Sequence, residues 1–355
     1  MTMSNDAAPM RLPAEWEPQG AVLVAWPHAA TDWNYMLGEV HACYVEMIEA
    51  IARFAKVIVI APDAAEPRKH LEHIGKGRLF FVEVPTNDTW TRDYGVITTS
   101  GNNGEFCLND FGFNAWGGKF KSDLDNEVTS WMYFSGALTG RYKDQKDFIL
   151  EGGSIESDGE GTILTTTSCL LTPTRNKGFS RADIEQKLAE TLGARKVLWL
   201  DKGEIIGDDT DGHIDTIARL APNNTILYCG AGWGTEGDAQ SDALKGVGDR
   251  LAEFTNASDE PFNLIELPMP APIFDPADGT RLPATYANFL IINGAVILPT
   301  YGQPRNDENA AMALRVAFPD YEIVGVDCRA LIRQHGSLHC ATMQLPAPVV
   351  SKFFH

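Results

Sequence analysis

Residues Tyr286–Leu298 read Tyr-Ala-Asn-Phe-Leu-Ile-Ile-Asn-Gly-Ala-Val-Ile-Leu, and this stretch decides the fold class. Two apolar runs flank Asn293-Gly294, a dipeptide suited to the positive φ angles of a two-residue hairpin turn. A helical pattern follows at Asn306–Ala317, then a further apolar strand at Glu322–Val326. Working outward, three more segments read as strand, tight turn, strand. They are Asp93–Asp110 around Asn102-Asn103-Gly104, Gly153–Leu171 around Asp158-Gly159, and His213–Cys229 around Pro222-Asn223-Asn224. Arg181–Leu192 then precedes the strand Lys196–Leu200, and Asp242–Phe254 precedes Asn263–Leu267. Near the start, the strand Ala21–Ala25 leads to a helix at Glu39–Phe54, where Val40, Tyr44, Met47, Ile48 and Ile51 recur at helical spacing, and then to Val57–Ala61. The period is roughly 60 to 70 residues, which makes about five units.

The N-terminal unit has one strand before its helix, and the C-terminus supplies a lone strand, Ser337–Gln344. If those two pair, strands from both ends close a ring and remove free sheet edges. The expectation is an α/β closed ring of five ββαβ units; an ordinary open α/β sheet is the alternative. No low-complexity linker divides the sequence, so residues 1–355 are expected to form a single domain.

A composition of 44% hydrophobic and 22% charged residues is that of a soluble globular protein. The formal net charge of −19 argues against nucleic acid, whose phosphates would be repelled, and suits a cationic partner. No stretch approaches a membrane span, and the polar Met1–Arg11 segment lacks a signal-peptide core. The six scattered cysteines include no Cys-x-x-Cys pair, which favours free thiols and a cytoplasmic location. Oligomeric state is not readable; a homodimer is the default by the prevalence of twofold assemblies.

Residues 207 to 216 read Gly-Asp-Asp-Thr-Asp-Gly-His-Ile-Asp-Thr. In an extended strand Asp211, His213 and Asp215 would share one face, and clustered carboxylates there need a metal, a cation or water to compensate them. With Gly212 as the glycine of a calcium loop, Gly207 and Ala218 would fill the first and last ligand positions, and neither is a ligand. Zinc is disfavoured because no second His follows at i+4, so no metal or organic cofactor is expected. Asp93, Glu151, Asp211, His213, Asp215 and Cys340 each lie at or near the start of an apolar strand. A thiol at Cys340 needs an activating partner, which His213 could be, with Glu151 orienting the imidazole. Asp93 and Asp215 are more acid than a triad requires, whereas a guanidinium with several N–H donors would use both. These residue types point to thiolate attack on a guanidinium carbon. Asp211 is assigned to the turn, and His339, on the strand face opposite Cys340, is expected to be a core histidine.

Several segments resemble the family of Porphyromonas-type peptidylarginine deiminases and agmatine deiminases. They are Pro13–Gly20, Asn87–Asp93, Phe111–Gly118, Leu150–Gly153, Gly207–Thr216, Tyr286–Phe289 and Leu338–Cys340, and the likeness spans nearly the whole chain. The resemblance implies the five-bladed pentein α/β-propeller with pseudo-fivefold symmetry. It implies Cys340 as nucleophile, His213 as general acid/base, Glu151 as the carboxylate completing the set, and Asp93 with Asp215 as the guanidinium clamp. Trp90 would lie along the substrate's methylene chain. The expected activity is deimination of agmatine to N-carbamoylputrescine and ammonia through an amidino-cysteine, feeding putrescine biosynthesis. Peptidylarginine or free-arginine deimination, amidino transfer, and a non-catalytic binding module are the alternatives. For the far end of the substrate, Asp209 or Asp208 could take an ammonium and Trp116 could wall the pocket. One departure stands out: Gln334-His335-Gly336-Ser337 occupies the approach to the nucleophile, where family members often carry a glycine run.

Overall fold

A computed structural model describes residues 10–231 and 237–352; the first nine residues, on which part of the export expectation rests, lie outside the described residues. Five sheets form among the described residues. Four begin with a hairpin whose second strand pairs parallel with a third. Ile97–Gly101 and Phe106–Gly112 are followed by Arg141–Ile149, and Ile155–Ser157 and Thr162–Thr166 by Lys196–Leu200. Ala218–Ala221 and Thr225–Cys229 are followed by Asn263–Leu267, and Leu290–Ile292 and Ala295–Thr300 by Glu322–Asp327.

The fifth sheet has the same pattern with strands from both ends of the chain. Met343–Pro346 pairs antiparallel with Gln19–Ala25, placing Leu345 opposite Ala21, and Gln19–Ala25 pairs parallel with Lys56–Ala61. The middle strands are largely buried because helices or neighbouring layers cover both faces, and among them Gln19–Ala25 and Ala295–Thr300 are mostly apolar. Val22, Val24, Ile58 and Ile60 are fully buried, as are Val296 and Ile297. Leu37–Ala52 buries Val40, Tyr44, Met47, Ile48 and Ile51 against this core, at the spacing the sequence carries.

Four expectations need correction. The helix anticipated over Asp242–Phe254 is broken into Ala239–Leu244 and Val247–Ala252 by Gly246, whose φ of 76° ends the first turn. The strand expected over Ser337–Gln344 is shortened to Met343–Pro346, and Ser337–Thr342 is mainly turn. Residues 211–216 are not extended: Asp211 has φ 66° and Ile214–Thr216 is a 3₁₀ turn, so the three side chains do not share a strand face. Three edge strands were not foreseen, namely Met10–Arg11, Leu79–Glu83 and Arg141–Ile149. The last reads Arg-Tyr-Lys-Asp-Gln-Lys-Asp-Phe-Ile, where charge hides the strand pattern while protecting an exposed edge.

Candidate active site

Each candidate side chain is carried by a short turn that leads into the first strand of a sheet. Asp93 lies in the single helical turn Thr91–Tyr94, and Glu151 precedes the 3₁₀ turn Gly152–Ser154. His213 caps Ile214–Thr216, and Cys340 sits in the turn before Met343–Pro346. Neighbouring turns hold one another: the Gly153 amide donates to Asp93 Oδ1 at 3.0 Å, and the Arg92 amide to the Cys340 carbonyl at 3.1 Å. The structure therefore brings Asp93, Glu151, His213, Asp215 and Cys340 into one buried cluster.

His213 Nε2 stands 3.4 Å from Glu151 Oε2, and its Nδ1 is 3.6 Å from Asp93 Oδ1. Burial would lower the imidazole's pKa, but Asp93, Cys169 and Glu151 raise it well above the ordinary value. Glu151 is buried yet held below its ordinary value, because His213 and the Arg175 guanidinium, at 2.6 Å, outweigh desolvation. Asp93 is pushed up to about 6, first by burial and then by Asp215 and Glu151, against the pull of His213. Asp215 is held low against burial chiefly by a hydrogen bond from His339 Nδ1 at 2.7 Å, which leaves its Oδ1 buried without a partner. Burial, then Asp215 and Asp93, push the Cys340 thiol well above its ordinary value. A cation between the two aspartates would remove that last contribution.

Gly153 sits at the centre. A Cβ there would come within 2.6 Å of His213 Nδ1, 2.9 Å of Asp93 Oδ1 and 3.1 Å of Asp215 Oδ2. The cluster opens into a cleft of about 420 Å³. Cys340, Asp93 and Trp90 line its buried inner part, while exposed Asp32 and Tyr35 mark the mouth. Trp116 also lines it and donates from Nε1 to Asp93 Oδ2 at 2.9 Å, so it orients the carboxylate as well as walling the cleft. Asp209 lines the cleft; Asp208 instead accepts from the Thr210 hydroxyl at 2.7 Å and the Gly212 amide at 2.8 Å within the turn. The approach loop lies against Trp90, since a Cβ on Gly336 would meet its ring at 2.3 Å.

Asp211 does serve its turn, through ion pairs with Arg175 at 2.7 Å and Lys119 at 2.9 Å. His339 is buried, as a core histidine is, and its ring bridges two carboxylates, Asp215 and Glu15. Sequence reasoning also missed Asn288, whose Oδ1 accepts from the amides of His339 (2.9 Å) and Cys340 (3.2 Å) while its Nδ2 reaches Cys340 Sγ at 3.2 Å. The signal was present, because Asn288 falls inside the matched Tyr286–Phe289 segment. Asp88 was likewise passed over; it lines the cleft and is pushed up to about 7, mainly by burial. Among the described residues, Glu151, Cys169 and His213, and separately Glu15, Glu156 and His339, offer donor atoms within 4.8 Å of one another. Arg175 already pairs with the first trio and Arg219 with the second, so guanidinium charge compensates these carboxylates.

Residues 11–346 match the Porphyromonas-type peptidyl-arginine deiminase family. An agmatine deiminase of Pseudomonas putida is 34% identical, across 95% of this chain and 96% of that protein. The C. jejuni agmatine deiminase, in a structure with substrate bound, is 38% identical with a TM-score of 0.87, covering 97% of this chain and 98% of its own. The Enterococcus faecalis agmatine deiminase is 30% identical with a TM-score of 0.85, covering 98% and 99% respectively. With this extent of match, the chain belongs to the Porphyromonas-type peptidyl-arginine deiminase family.

Proposed function

We propose that the chain hydrolyses agmatine to N-carbamoylputrescine and ammonia, with Cys340 as nucleophile. The observation that carries this reading is the distribution of charge along one cleft: Asp93 beside Cys340 at the inner end, with Asp88, Asp209 and Asp32 further along. Agmatine carries a guanidinium at one end and an ammonium at the other, and this lining complements both. Between them Trp90 gives an apolar wall for the methylene chain. The relatives named agmatine deiminase, one of them with substrate bound, support the same choice.

Seating the guanidinium between Asp93 and Asp215 neutralises the charges that disfavour a thiolate at Cys340. The Cys340 thiol then loses its proton to solvent, and the thiolate sulfur bonds to the guanidinium carbon. Protonated His213 gives its proton to a terminal nitrogen, and the carbon–nitrogen bond breaks to release ammonia. Neutral His213 next removes a proton from water, which attacks the amidino carbon. The carbon–sulfur bond breaks and the ureido product leaves.

Free arginine or a peptidyl-arginine presents a carboxylate or a peptide where agmatine has an ammonium. The guanidinium lining the cleft is Arg333, which already faces Asp275 at 3.3 Å and Glu39 at 3.7 Å, so a third anion has little to gain. We read the five sheets as blades of one closed pentein ring and residues 1–355 as one domain. The repeated strand order and the sheet shared by the two chain ends support this.

The test is product identity. Agmatine, arginine and an arginine peptide are incubated in turn, and ammonia and ureido product are assayed. Agmatine should be turned over with the highest kcat/KM, and Cys340→Ala should abolish ammonia release with the fold retained. Release only in the presence of an acceptor amine would make the chain an amidinotransferase.

A further inference from the structure

His339 neighbours Cys340 in sequence, and its ring lies in a buried polar layer where it shares Asp215 Oδ2 with the thiol, whose Sγ is 3.7 Å from that oxygen. Nδ1 lies 2.7 Å from Asp215 Oδ2, and Nε2 lies 2.7 Å from Glu15 Oε2. An ionised carboxylate only accepts hydrogen bonds, so the contact to Asp215 requires a donor at Nδ1, whereas Nε2 faces both Glu15 and, at 3.0 Å, the Arg219 Nη2 donor. The surroundings carry charges of both signs. Arg219 Nη2 lies 2.9 Å from Glu15, and Arg219 Nε pairs with Glu156, while Arg92 Nη2 is 3.9 Å from Glu15. Three carboxylates, Glu15, Glu156 and Asp215, thus meet two guanidinium groups, Arg92 and Arg219, with the His339 ring between Glu15 and Asp215. Arg219 also donates to the carbonyls of Ala287 and Phe289, on either side of Asn288, which fixes the layer to the turn that touches Cys340.

We infer that His339 is a positioning residue. It engages Asp215 Oδ2, so that the partnerless Oδ1 is kept for the substrate guanidinium, and Glu15 with Arg219 holds the ring at the angle this requires. Glu15 lies in the N-terminal Pro13–Gly20 segment, so the two ends of the chain meet in this layer as well as in the shared sheet. The consequence is directional: what matters to turnover is a donor at the Nδ1 position rather than bulk or burial at residue 339. This inference rests on the proposed clamp role of Asp215.

A pair of substitutions separates the two ring nitrogens. In His339→Asn the side-chain NH₂ falls near the Nδ1 position and can still donate to Asp215. In His339→Gln it falls near Nε2, keeping the Glu15 contact and losing the one to Asp215. Expected are a kcat/KM for agmatine within about tenfold of wild type for His339→Asn, and a further loss on the order of 10- to 100-fold for His339→Gln, mostly in KM, at matched thermal stability. Crystal structures of the two variants should show Asp215 in its original orientation with Asn and rotated with Gln. Equal kcat/KM in both variants, or losses that track melting temperature, would overturn the inference. Failure of the wild type to deiminate agmatine would sink the proposed substrate instead, and the Asp215 orientations would still decide the role of His339.

Discussion

Gly153 sets the dimensions of the site, because its missing Cβ is the space in which His213 and the two aspartates approach one another. Gly153→Ala should displace the imidazole or a carboxylate by a good part of an ångström. Misplacement on that scale costs on the order of 100-fold in kcat, and steady-state kinetics alongside circular dichroism would separate it from misfolding. Asp88 lines the same cleft, where the proposed substrate's ammonium would lie, and its carboxyl is pushed up to about 7 chiefly by burial. Its ionised form is the one that attracts an ammonium, so the KM for agmatine should fall as pH rises from 6 to 8. Asp88→Asn should raise KM on the order of tenfold at pH 8 and remove much of that pH dependence, with kcat changed far less. An unchanged KM would place the ammonium elsewhere, with Asp209 the next residue to substitute.

Arg181–Leu192 shows how local chemistry delimits an element here. Ser180 accepts from the Asp183 amide, Asp183 reaches back to the Ser180 amide, and Gly193 closes the helix at φ 73°. Ser180→Ala should cost about 1 kcal/mol in urea unfolding and leave kcat alone, since the helix lies outside the cleft lining. Such signals explain why this helix and the strands Lys196–Leu200 and Asn263–Leu267 are legible to the residue in the sequence. The edge strand Arg141–Ile149 was hidden because its half-exposed faces carry charge in place of alternation. The site was legible wherever a carboxylate, thiol or imidazole stood at the start of a strand. Arg175 gave no such hint. It lies in the irregular stretch between Leu170 and Arg181, and its role follows only from tertiary contacts to Glu151, Asp211 and the Thr210 carbonyl. The orientation of His339 was lost for a related reason: a face assignment by strand alternation fails where the backbone is a turn.

Across the whole molecule, a chain of net charge −19 buries carboxylates that it keeps partly protonated. Burial pushes Asp125 up to about 8, Asp88 up to about 7, and Asp93 and Asp110 up to about 6. In the unfolded chain these groups ionise near pH 4, so between there and pH 8 the native state binds more protons. Stability from this source is greatest at the acidic side of that window and is lost as pH rises through the folded values. Burial opposes protonation of His213, but Asp93, Cys169 and Glu151 raise it overall, so its contribution is likewise present below its unfolded value near 6.5 and lost as pH rises through the folded one. His28 and His41, both lowered first by burial, act with the opposite sign below about pH 6.5. The clean interval is therefore pH 7 to 8, where chemical denaturation should show about 1 to 2 kcal/mol more stability at the lower pH. Bound agmatine would hold Asp93 and Asp88 ionised, so saturating it into the Cys340→Ala variant should make that slope shallower. A slope that rises with pH, or one that agmatine leaves untouched, would show that these carboxylates are ionised in the free protein and that the cleft does not wait for a cation to charge it.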